Sequence, residues 1–169
     1  RIDFGGSSRR LEFALAAVGT RRVVGRLVSL IKEGKVAVDR QEGLLRMIAL
    51  QGDAGQLAFV FERAGGRLGV LEALARSALE RKVKPARGAE RVGALLKDSD
   101  EPVQAAGARL VGLWKVGGLR GELEALAKSA PGPGVRSAAF EGLAFLSDEL
   151  SVAFLKEQGS AGGSMEKRS

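Results

Sequence analysis

Residues 95–146 read LLKDSDEPVQAAGARLVGLWKVGGLRGELEALAKSAPGPGVRSAAFEGLAFL, and this stretch decides the fold. Val103, Ala106, Gly107, Leu110, Val111 and Trp114 recur at i, i+3, i+4, i+7, i+8 and i+11, which is one apolar stripe along a helix. A shift of 32 residues gives Val135, Ala138, Ala139, Gly142, Leu143 and Leu146 at the same spacing. Each stripe follows a turn that stops the preceding helix, Asp98 to Pro102 in the first copy and Pro131 to Gly134 in the second. A helix pair this small cannot bury its stripe alone. Repetition at this period therefore predicts a stacked helical array.

The same periodicity extends outward in both directions. Ser7 or Ser8 can cap a helix from Arg9 with Leu11, Ala14, Leu15 and Val18 on one face. A second helix, Arg21 to Lys35, turns Val23, Val24, Leu27, Leu30 and Ile31 inward. Asp39 caps a third, with Leu44, Leu45, Ile48 and Ala49. Gln56 to Ala64, Leu68 to Val83 and Arg87 to Lys97 follow, with Pro85 enforcing a stop. Leu119 to Ser129 lies between the two repeat copies, and Asp148 caps a last helix carrying Leu150, Val152, Ala153, Phe154 and Leu155. Pairs begin near residues 9, 41, 68, 102 and 134. The pattern predicts an all-α chain, a right-handed α-solenoid of about five antiparallel helix hairpins with the second helices lining its concave side. Residues 1–8 read as a frayed lead-in, 9–158 as the solenoid and 159–169 as a Gly/Ser-rich flexible tail.

Composition narrows the chemistry. Hydrophobic residues make up 45% and charged residues 28%, an ordinary folded balance. No apolar run reaches the roughly 20 residues needed to span a bilayer. The chain starts at Arg1 rather than Met, which points to a piece of something longer. The absence of Cys and His removes disulfides, thiolate or imidazole metal sites and Ser-His-Asp triads. Tyr is absent too, so Asp, Glu and Lys are the remaining acid/base candidates. Residues 1–94 hold 18 Lys and Arg against 10 Asp and Glu, while residues 95–169 hold 9 against 10. A basic half can attract nucleic acid, anionic lipid or an acidic protein, or it can be a solvated surface.

From Leu95 to Leu146 the pattern resembles HEAT repeats of the short variety first named from phycobilin lyases. Those repeats run as a Leu-rich helix, an acidic turn and then Val-Arg-x-x-Ala-Ala. Val135-Arg136-Ser137-Ala138-Ala139 matches, the first copy has Gln104 where the Arg stands, and Leu95-Leu96-Lys97-Asp98 fits the lead-in. A narrower likeness covers Leu74 to Leu126. There Ala75-Arg76, Arg81-Lys82-Val83-Lys84-Pro85 and Leu113-Trp114-Lys115 resemble the helical segment of large bacterial dehydrogenases, which lies between a β-propeller and a c-type cytochrome domain. That resemblance implies a cell-envelope or periplasmic setting and a spacer role. Without a Cys-x-x-Cys-His signature, neither haem binding nor redox activity carries over. The repeat name also suggests bilin attachment, but that chemistry would rest on carboxylates alone.

Each candidate site has a plainer explanation. Trp114 could stack on a base or a sugar, yet it stands on a core stripe whose next copy holds Leu146. Arg76, Arg81, Lys82, Lys84, Arg87 and Arg91 form the densest basic run, and Arg21, Arg22 and Arg26 could extend it. This region has neither the aromatic stacking nor the polar reading set that nucleic-acid recognition usually adds. Asp98, Asp100 and Glu101 could hold a cation, but helix capping accounts for them. Gly65-Gly66 and Gly117-Gly118 lack the strand and Lys of a phosphate loop and read as turns. The sequence thus points to a non-enzymatic scaffold with no catalytic, cofactor or metal residue. Its interaction surface is expected at Arg21, Arg22, Arg26, Arg87 and Arg91, and its partner is a protein or a neighbouring domain. The alternative is a HEAT-like solenoid that binds nucleic acid through a basic concave face.

Overall fold

The structure is a computed structural model that describes residues 20–166, with side chains from 23 to 160. The lead-in, the helix expected from Arg9 and the last three residues lie outside the described residues. Within them all regular structure is helical, and no helix is long and apolar enough to cross a membrane. The chain divides into two compact units, Arg1–Gly88 and Ala89–Ser169.

The first unit contains α1 (Thr20–Lys32), α2 (Val38–Gln51), α3 (Ala54–Ala64) and α4 (Leu68–Arg81). Their inward faces bury Val24, Leu27, Leu45, Ile48, Leu57, Val60, Val70, Leu71 and Leu74. The expected cap at Asp39 is not formed. α2 begins one residue earlier, behind Ala37, and Asp39 sits in the first turn, where its charge faces the positive end of the helix dipole. α3 does carry a capping box. The Asp53 carboxylate accepts from the Gln56 N–H at 2.9 Å, and the Gln56 amide oxygen accepts from the Asp53 N–H at 2.9 Å. Lys82, in the left-handed region at φ 57°, ends α4 two residues short of Val83.

α2 and α4 run side by side in the same direction. Near their starts, a Cβ on Gly69 would meet Arg46 and Glu42 side-chain atoms at 3.4 Å. At their ends, the Arg81 guanidinium donates to the carbonyls of Leu50 and Gly52, both at 2.7 Å. Parallel helices put like dipole ends together, and a cation over the C-terminal carbonyls of the neighbour offsets that cost.

The second unit contains a 3₁₀ segment (Ala89–Lys97), α5 (Glu101–Leu113), a short 3₁₀ turn (Gly117–Leu119), α6 (Arg120–Ser129), α7 (Pro133–Leu146) and α8 (Glu149–Glu166). All twelve residues of the two repeated stripes are buried, Trp114 to 1% exposure. α5 and α7 are parallel, and the register of their contact equals the sequence period. Arg109 Nε lies 2.5 Å from the Glu141 carboxylate, 32 residues on. The Lys115 ammonium donates to the carbonyls of Phe145 and Leu146 and to the Ser147 hydroxyl, again at the end of the neighbouring helix. Between these points the helices touch backbone to backbone. A Cβ on Gly112 would strike the Gly142 carbonyl, and one on Gly142 would strike the Ala108 carbonyl. Only glycine permits this approach.

The second position of each repeated Val-x pair also does equivalent work. Gln104 donates to the Leu96 carbonyl at 2.7 Å, and Arg136 donates to the Ala130 and Pro131 carbonyls at 2.6 and 2.9 Å. Either side chain satisfies carbonyls that the end of the preceding helical segment leaves open, which is why Gln can stand where the other copy has Arg.

Three expectations are corrected in this unit. Residues 87–97 are not an α-helix. The segment begins only at Ala89, after Pro85 and the positive-φ Gly88, and winds as 3₁₀, its turn closing through the Asp98 N–H to the Leu95 carbonyl. Gly93 adds no helix propensity and lies against Leu119. Of the apolar residues in α8, Phe154 is buried but Leu150 is 59% exposed and Val152 is also exposed, because the helix buries a narrow stripe with Ser151 on it. The stretch expected to be a flexible tail from Gly159 continues α8 to Glu166, and the Ser160 hydroxyl donates to the Lys156 carbonyl four residues back.

Candidate interaction surface

The basic run of residues 76–91 does not form one free patch. Arg76 pairs with Glu80 at 2.8 Å, Arg81 is held by backbone carbonyls, Lys82 is the C-cap of α4, and Arg87 lies 3.8 Å from Glu62. Among the residues singled out from sequence, Arg26 is exposed on α1, Arg87 is exposed after Pro85, and Arg91 is exposed on the 3₁₀ segment of the second unit. The side chains of Arg21 and Arg22 lie outside the described residues. Arg26 contributes a little to holding the Glu33 carboxyl below its ordinary value, an effect dominated by the hydrogen bond and charge of Lys35.

A cationic cluster that periodicity did not single out lies within the first unit. Phe59 is almost fully buried, and two cations stand over its ring, the Arg63 guanidinium at 4.0 Å and the Lys32 ammonium at 5.4 Å from the centroid. Further along, Arg67 donates to the Arg63 carbonyl at 2.6 Å. Phe59 and Arg63 are four residues apart on α3, the spacing at which helix side chains meet, so that half of the cluster was legible in the sequence. Lys32 arrives from α1 and needed the tertiary structure.

The acidic turn is structural. The Asp98 carboxylate accepts from the Asp100 N–H at 2.9 Å, and Glu101 packs against Gly132, beside the start of α7. Among the described residues no group of three carboxylates could hold a metal ion. Asp100 is the N-cap of α5 by position but makes no side-chain cap bond.

A shallow groove of about 450 Å³ lies between α6 and α8. Gly121 and Leu150 open onto it, Phe154 lies at its floor, and Arg120, Glu124 and Lys128 stand around it. One of its cations, Arg120, is already matched by carboxylates. Arg120 lies 3.5 Å from both Glu124 and Asp148, and Lys128 sits 5.0 Å from the Phe154 ring centroid. The Ser151 N–H bond to Asp148 holds that carboxyl below its ordinary value, with Arg120 adding to the effect. No family model, curated protein or solved structure matches the chain.

Proposed function

We propose that this chain is a HEAT-like α-solenoid of stacked antiparallel hairpins that spaces or docks neighbouring domains, or binds a protein along its surface, without catalysis. The observation that supports it is the register of α5 and α7. Residues one sequence period apart are also lateral neighbours, as Arg109 and Glu141 are. Stacked units of this kind create a long surface that needs no reactive residue. Arg26 and Arg87 of the first unit, with Arg21 and Arg22, and separately Arg91 of the second unit, are the residues through which partners are met.

Photo-crosslinking in the source cells tests this reading, with a benzophenone side chain placed in turn at positions 26, 87 and 91. A discrete protein adduct that disappears when a neighbouring arginine becomes glutamate supports it. Adducts with nucleic acid, or no adduct from any position, overturn it.

A further inference from the structure

The cluster on Phe59 has a property that capping does not explain. Lys32 and Arg63 belong to the last turns of α1 and α3, and Arg67 bonds the Arg63 carbonyl just beyond. Each cation alone is favourable beside a helix C-terminus and, for two of them, over an aromatic ring. Two like charges thus meet over one ring, with a third held at the Arg63 carbonyl. Among the described residues no carboxylate lies within ion-pairing distance of any of the three, whereas Lys35 pairs with Glu33 at 2.7 Å, Arg76 with Glu80 at 2.8 Å and Arg109 with Glu141 at 2.5 Å. A cation–π contact uses the charge and leaves N–H donors unbonded. The ring and the Arg63 carbonyl also restrict these long side chains in advance, which lowers the ordering cost when an anion arrives.

We infer that Lys32, Arg63 and Arg67 receive a short run of carboxylates, an Asp- or Glu-rich segment of a partner polypeptide. This rests on the protein-binding reading above and names its chemistry. An acidic peptide suits the cluster better than nucleic acid does. Phosphate-backbone binding draws its strength from many cations spread along a strand, and single strands also need an exposed ring to stack on. Here the positive charge is local, and the one ring is buried with cations over it.

The test is fluorescence anisotropy of a labelled ten-residue Glu-rich peptide at low salt, beside a Gln-rich peptide and a labelled DNA duplex. The variants are Arg63→Gln/Arg67→Gln and Lys32→Gln, with Arg76→Gln as control, and thermal melting verifies that each is folded. The expected result is binding of the Glu-rich peptide alone, weakened about tenfold in the double variant and unchanged in the control. Amide chemical-shift changes should centre on residues 32, 59, 63 and 67. Equal affinity for all variants, shifts spread over every surface cation, or no binding overturns the inference. Tighter binding to the duplex that the same variants abolish reassigns the cluster to nucleic acid. A protein adduct from positions 26, 87 or 91 alongside peptide failure leaves the scaffold standing and removes only this site.

Discussion

Arg109 and Glu141 stand 32 residues apart in sequence and 2.5 Å apart in space, on neighbouring helices that run in the same direction. Both side chains are about half exposed, so the ion pair itself contributes only about 0.2–1 kcal/mol. Its importance is as a marker of register. The energy comes from the buried stripes on either side and from the glycine contact between α5 and α7.

That contact should tolerate no methyl group. Gly142→Ala gains about 0.5–1 kcal/mol of helix propensity but drives a Cβ into the Ala108 carbonyl, and overpacking of this kind costs about 1–3 kcal/mol. The expected net effect in urea unfolding is destabilisation. Gly43→Ala is the contrast, since its Cβ meets nothing within 4 Å on the exposed side of α2, and it should stabilise by about 0.5–1 kcal/mol.

Leu95 and Gly107 should show coupling. A Cβ on Gly107 would lie 2.6 Å from the Leu95 Cβ. The positions one period later hold Ala127 and Ala139, so one copy uses a large and an absent side chain where the other uses two small ones. Because the clash is with the Leu95 Cβ, which only glycine lacks, Leu95→Gly/Gly107→Ala should cost less than the sum of its single changes, by about 0.5–3 kcal/mol in a double-mutant cycle. Additive costs would deny the contact.

Lys115 combines a strained backbone, φ 58°, with a side chain over the end of α7. Lys115→Ala should lose about 0.3–1 kcal/mol from the missing cation while keeping the strain. Lys115→Gly loses the same contact but relieves about 1–2 kcal/mol of left-handed strain, so it should melt above the alanine variant.

Asp148 predicts a pH dependence for α8. Its carboxyl titrates below its ordinary value of 3.8, chiefly because the Ser151 N–H bonds the ionised form. Its stabilising contribution is therefore complete above the unfolded value and is lost as pH falls from about 3.8 through the lower folded value. Asp148→Ala should flatten the fall in melting temperature over that acidic window. An unchanged slope would show that the cap does not matter.

The helical stripes were legible because burial repeats with the helix period, and Val103 to Trp114 and Val135 to Leu146 all lie inside as the spacing required. Boundaries set by a single hydrogen bond were harder to read. The i, i+4 spacing of Val92 and Leu96 reads as α-helix, yet residues 89–97 wind as 3₁₀ with both side chains buried, so the apolar pattern did not give the winding. Charge was the least legible feature. Arg76, Arg81 and Arg87 looked alike in sequence, but one found Glu80, one the carbonyls of Leu50 and Gly52, and one Glu62. In the cluster on Phe59, Arg63 and Arg67 follow local i, i+4 spacing, but Lys32 arrives from α1, an approach that no local pattern encodes.

The most direct test of the repeat register is a pair of spin-label distances, easily placed because the chain has no cysteine of its own. Labels at Pro102 and Gly134 report the starts of α5 and α7, and labels at Lys115 and Ser147 report their ends. Parallel helices in register predict two short and nearly equal distances. Two distances both lengthened to about 20 Å or more, the length of a 13-residue helix, as antiparallel neighbours would give, would contradict it.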